Sequence, residues 1–218
     1  MRSIHDYQVY IFDCDGVILD SNQLKIDAME RVLSALSYEC STIKSFLEYF
    51  ANNFGKSRFH HVDVFIEQFL GLDLGAEEVC RANILQLFSH QCKALYLDAQ
   101  LTPGFIDFIL SLKGNKYIAS GSEQSELREV FRIRGLEKYF TGIYGSPTAK
   151  YKLEETILSK EKTKIAVMFG DAISDLEAAQ KNNINFIAYT PFSNVKNELI
   201  VSSNKYNQIT TNAWGDIK

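Results

Sequence analysis

From about residue 100 onward the sequence repeats one alternation, and nothing else in the chain restricts its fold as much. Short apolar runs ("KYIASGS", "GIYGS", "KIAVMFGD" and "NFIAYT") are separated by stretches of helical spacing such as "EQSELREVFRIRG" and "SDLEAAQKNN". Strands alternating with helices imply βαβ units, and these imply a parallel sheet covered on both faces. A similar run, "YQVYIF" at residues 7–12, supplies one more strand near the start. Between it and the rest the texture changes. "QLKIDAMERVLSAL", "TIKSFLEYFANNF", "RFHHVDVFIEQFLG" and "EEVCRANILQLFSHQC" carry apolar residues at helical spacing and contain no comparable strand. The sequence therefore predicts an α/β, Rossmann-like parallel-sheet core, residues 1–20 and 98–218, with an all-helical subdomain inserted at 21–97. Phe46, Phe50, Phe54, Phe65 and Phe69 are expected to form the core of that insertion. "LDAQLTPGF" returns the chain, with Pro103 and Gly104 marking the turn.

Parallel sheets bind their ligands outside the carboxyl ends of the strands. Asp13 and Asp15 directly follow "YQVYIF", Ser120 follows "KYIA", Lys150 lies shortly after "GIYGS", and Asp171 follows "KIAVMFG". Four segments thus deliver three acids, a hydroxyl and an amine to one rim. Crowded carboxylates repel, and a hard divalent cation relieves that repulsion. Mg²⁺ is held by one or two carboxylates, with waters and phosphate oxygens completing its shell. With a lysine and a hydroxyl opposite, the set fits phosphoryl transfer, where positioning and charge neutralisation supply most of the catalysis.

Composition narrows the class. The chain has 27 acids against 23 bases, a formal charge of −4 and no basic block, which argues against nucleic-acid binding. No run approaches the roughly 18 apolar residues that span a bilayer, and no signal peptide is read at the start. Cys14, Cys40, Cys80 and Cys92 form no CxxC pair, so reduced thiols in a cytoplasmic protein are expected.

"DCDGVILDS", "IASGS", "GSPTAK" and "GDAISDLEAA" resemble, in order, the four motifs of the haloacid dehalogenase superfamily. The helical insertion is similar to that superfamily's cap. "FGKSRFHHVDVF" resembles the cap segment of its β-phosphoglucomutase and phosphoglycolate phosphatase branch. The resemblance implies that Asp13 is a nucleophile forming an aspartyl-phosphate and that Asp15 is the general acid and base. It implies that Ser120 and the Gly121 amide hold phosphoryl oxygens and that Lys150 neutralises Asp13 and the phosphate. Mg²⁺ would be held by Asp13, Asp171 and the backbone carbonyl of Asp15, with Asp175 as a further acid. Arg58 and Lys25 lie where the family's substrate contacts fall, although either could equally be a solvated charge. Gly16 allows a tight turn after the acids.

A calcium loop also spaces acids by two, but it puts glycine sixth and a glutamate twelfth. Asp171 or Ser174 could be an ordinary helix N-cap. Cys14 should point into the core by strand alternation, and His5, His60, His61 and His90 show no metal-ligand spacing. Dehalogenases lack an acid at the place of Asp15. Phosphonatases use a cap lysine, for which Lys25 and Lys56 make no convincing match. Mutase relatives carry a histidine where Lys25 stands. A receiver domain would lack the insertion, and a non-catalytic binding module would have lost Asp13 or Asp15. Hydrolysis of a small phosphate ester, a sugar phosphate or acidic sugar phosphate, is the expected activity, with no nucleic-acid or membrane partner.

Overall fold

A computed structural model describes residues 2–71 and 76–217. Six strands form one parallel sheet in the order β3-β2-β1-β4-β5-β6. They are β1 (Val9–Phe12), β2 (Asn115–Glu123), β3 (Gly142–Ser146), β4 (Ala166–Gly170), β5 (Asn185–Tyr189) and β6 (Ile209–Thr211). Every residue of β1 and of β4 is buried, as expected of central parallel strands covered on both faces, which explains why they read as unbroken apolar runs. One core layer joins Phe12, Phe105, Phe108, Phe169 and Trp214, and the other joins Val9, Ile11, Leu153, Met168 and Leu176.

Helices α1 (Asn22–Ala35), α2 (Cys40–Asn52), α3 (Arg58–Val64) and α4 (Glu77–Asp98) all lie between β1 and β2, and a π-helical turn, Phe65–Leu70, continues α3. Phe46, Phe50, Phe54 and Phe65 are buried together, and Phe69 packs against them. The two strands of chain that join this insertion to the sheet are tied together: Asp20 N donates to Gln100 O and Thr102 N to Ile18 O, each at 2.9 Å.

The remaining helices are α5 (Phe105–Ser111), α6 (Gln124–Ile133), α7 (Lys150–Glu161), α8 (Ile173–Asn182) and α9 (Lys196–Lys205). Strand order reverses between β1 and β4, and a sheet of this kind opens its ligand crevice at that point. Asp13 follows β1 and Asp171 follows β4, so the topology places both at the crevice.

Candidate active site

Immediately after β1 the chain turns on Gly16, whose φ of +70° suits glycine. A Cβ there would lie 2.2 Å from Asp171 Oδ2, so glycine is required by space as well as by torsion. The turn keeps Asp13 and Asp15 on the rim, both buried, while Cys14 between them packs into the core.

Asp13, Asp171 and Asp175 each offer a carboxylate oxygen within 4.8 Å of the others. Lys150, at the start of α7, places Nζ 2.9 Å from Asp13 Oδ1 and also contacts Asp175 Oδ1. The second oxygen of Asp175 accepts from the backbone N–H groups of Asp171 and Ala172, each at 3.1 Å, which fastens the loop that carries Asp171. Asn22 donates to Asp171 Oδ2 at 2.6 Å. Burial pushes the Asp13 carboxyl up to about 7; Lys150 opposes the shift, while Asp175 and Asp15 add to it. Burial, then Asp175 and Asp13, hold the Asp171 carboxyl well above its ordinary range against the Asn22 hydrogen bond. One lysine does not balance three acids at this density, and the oxygen donors suit a hard cation.

Asp15 sits in a different setting. Its carboxylate accepts from Ser21 Oγ at 2.6 Å, Ser122 Oγ at 2.8 Å, Tyr96 Oη at 2.9 Å and Lys25 Nζ at 3.0 Å. Burial would raise this carboxyl, but the charge and hydrogen bonds of Lys25, Ser21 and Ser122 outweigh it and hold the group below its ordinary range. Neighbouring carboxylates on one turn are thereby driven in opposite directions. A divergence of this kind lets neighbouring carboxylates carry different protonation states.

Ser120 is the last of four consecutive buried residues in β2, and its Oγ accepts from Ser122 N at 3.1 Å. Beside it, Gly121 meets the insertion: a Cβ on Gly121 would lie 2.6 Å from Gly55 O and 2.7 Å from Lys56 O. Phe54 O accepts from Ser174 Oγ on α8 at 3.1 Å. The "FGKS" loop is thus pressed onto the rim. Arg58, at the start of α3, is buried; both arms of its guanidinium reach Glu126 on α6, at 2.8 and 2.5 Å.

Two cavities flank the loop. An outer one of about 300 Å³ is lined by Lys56, Thr148, Lys150, Ser174 and Lys181. An inner one of about 10 Å³ is lined by Lys25, Phe50, Phe54, Arg58, His61 and Phe88.

A family model for the haloacid dehalogenase-like hydrolases matches residues 7–183. The chain belongs to that family. No curated protein matches. Among solved structures, a predicted phosphatase from Clostridium acetobutylicum superposes with a TM-score of 0.73 at 20% identity, covering 94% of each chain. A haloacid dehalogenase-like hydrolase from Streptococcus pneumoniae gives 0.72 at 20% identity and 97% of each chain. A β-phosphoglucomutase from Clostridium difficile gives 0.72 at 14% identity, covering 97% of this chain and 93% of that one. At such identities the likeness is one of fold. Among the described residues no helix is long and apolar enough to cross a membrane.

Asp13, Asp15, Ser120, Gly121, Lys150, Asp171 and Asp175 therefore meet at one rim, and Lys25 reaches it from α1. Sequence reasoning passed over several partners. Ser122 lies two residues beyond Ser120 on the same strand face, so alternation could have signalled it. Tyr96, Asn22 and Glu126 carried no signal, because their targets are 81, 149 and 68 residues away. Glu154 was also missed. It is fully buried on α7, one turn beyond Lys150, with Asn182 Nδ2 donating to Oε2 at 3.1 Å and Oε1 unpartnered.

Proposed function

We propose that the protein is a Mg²⁺-dependent phosphatase that hydrolyses phosphate monoesters of small metabolites through an aspartyl-phosphate on Asp13. The observation that carries this reading is the contrast within "DCD": Asp13 faces Lys150 and the acidic cluster, whereas Asp15 is held apart by four donors.

Asp13, Asp171 and the backbone carbonyl of Asp15 would hold the metal, with Asp175 orienting Asp171 and Lys150. Bound there, Mg²⁺ would neutralise charge on the phosphoryl oxygens. Lys150 adds a fixed positive charge, and the Ser120 hydroxyl with the Gly121 amide orients the remaining oxygens. An Asp13 oxygen attacks phosphorus as the bond to the ester oxygen breaks, and Asp15 supplies the proton that the alcohol needs to leave. Water then attacks the aspartyl-phosphate. Asp15 takes the water's proton, inorganic phosphate departs and Asp13 is restored.

Asp15 in the ionised form is ready for the second step. For the first, an arriving phosphate dianion favours its protonation, since like charge nearby disfavours the carboxylate. The helical insertion acts as a cap, and its contact with Gly121 and Ser174 shields the rim from water.

Purified protein should release phosphate from p-nitrophenyl phosphate with Mg²⁺, lose that activity in EDTA, and regain it when Mg²⁺ is restored. Asp13→Asn should be inactive with an unchanged circular dichroism spectrum. Activity that survives full chelation would sink the metal assignment, and an active Asp13→Asn variant would sink the nucleophile.

A further inference from the structure

The inner cavity is the side of the site on which a leaving group must lie. Lys25 and Ser122 line it, and both bind Asp15, the group proposed to protonate the departing oxygen. Its charges can be counted among the described residues. Lys25 is paired with Asp15 at 3.0 Å. Arg58 is matched by Glu126 through two parallel hydrogen bonds, and Ser89 Oγ on α4 also donates to Glu126. Burial first, then the charges of His60, Lys25 and Lys56, lower His61 to about 3, so its ring is neutral. Lys56 is exposed, and its Nζ donates to Asn53 Oδ1 at 2.9 Å. The other walls are the rings of Phe50, Phe54 and Phe88, with the Arg58 guanidinium 5.6 Å from the Phe88 centroid.

Resting on the phosphatase reading, we propose that Glu126 sets the substrate class. By occupying both arms of Arg58 it withdraws that guanidinium as a site for an anion on the leaving-group side, and so selects phosphate monoesters whose alcohol carries no second anionic group. A carboxylate or second phosphate on the substrate that takes the fork of Arg58 strips Glu126 of its cation while buried. A buried charge without its partner is strongly disfavoured. A neutral polyol meets no such penalty. Its C–H groups suit the phenylalanine walls, and its hydroxyls bring no charge to desolvate.

Glycerol 3-phosphate and 3-phosphoglycerate make the test, because they share one skeleton and differ in a hydroxymethyl group against a carboxylate. For the wild type, kcat/KM should favour glycerol 3-phosphate by tenfold or more. In Glu126→Gln, which frees Arg58 to meet an anion, the ratio of the two values should shift at least tenfold toward 3-phosphoglycerate. The ratio is taken within each protein, so a partly folded variant does not obscure it, and the wild-type ratio stands without any variant. A wild-type preference for the carboxylate, or a ratio within twofold of wild type in Glu126→Gln, would overturn the proposal. If p-nitrophenyl phosphate and both esters resist hydrolysis with Mg²⁺, the phosphatase reading itself falls and takes this one with it. Hydrolysis of p-nitrophenyl phosphate with the wrong ratio overturns this proposal alone.

Discussion

Glu154→Gln should make the protein more stable, and increasingly so as pH rises. Glu154 is buried on α7; burial pushes its carboxyl up to about 8, against the charge of Lys150 and the Asn182 hydrogen bond, and Asp175 adds to the rise. In the unfolded chain the same group titrates near the ordinary glutamate value of 4.5. Between these two values the folded state binds the proton and the unfolded state does not. Its contribution to stability is therefore fully present below about 4.5 and is lost as pH rises toward about 8. With about 1.4 kcal/mol per pKa unit, the cost of this carboxyl is about 1 kcal/mol at pH 5 and about 4 kcal/mol at pH 8.

Glutamine keeps the shape and the acceptor for Asn182 but does not titrate. The advantage of the variant should thus grow by about 3 kcal/mol across that range, or about 6–12 °C in Tm for a chain of this size. Urea denaturation of both proteins at several pH values in saturating Mg²⁺ reads the difference, and titrations common to both proteins cancel. Parallel stability curves would refute the argument. They would mean that Glu154 is ionised in the fold, its charge balanced by Lys150.

Asp15→Asn should slow hydrolysis of an alkyl phosphate by about 10²–10⁴-fold in the step that breaks the ester bond, and that of an aryl phosphate far less, because phenolate leaves without a proton. Rapid-quench measurement of the first step with both esters checks this; equal losses would remove Asp15 as the acid. Gly16→Ala should abolish activity and lower Tm, because its Cβ would fall 2.2 Å from Asp171 Oδ2 at a φ of +70°. A fully active, equally stable Gly16→Ala protein would show that this turn has room that the structure denies it.

What the sequence determined follows from local rules. Apolar runs too short for helices and separated by amphipathic stretches leave little choice but a parallel sheet, and parallel sheets present ligands at their carboxyl ends. Asp13, Ser120, Lys150 and Asp171 were therefore legible as a group from the ends of four runs. Gly16 was legible from its place after the acids. The helical block between β1 and β2 announced itself by period alone, but β6 did not, since three residues are too few to show a period.

Tertiary structure decided the electrostatics. Asp13 and Asp15 are one residue apart and alike in sequence, yet one is raised by burial among acids and the other is lowered by Lys25, Ser21 and Ser122. Arg58 stands in a motif that suggested a substrate contact, and the fold brings it Glu126 from a helix 68 residues away. Glu154 belongs to a helix of mixed polarity, and only the packing of α7 against the sheet and α8 leaves it without water. Periodicity records which face of a segment is apolar. It carries no record of which charges from distant segments will share a low-dielectric space, and that sharing sets the protonation state and, by our proposal, the substrate.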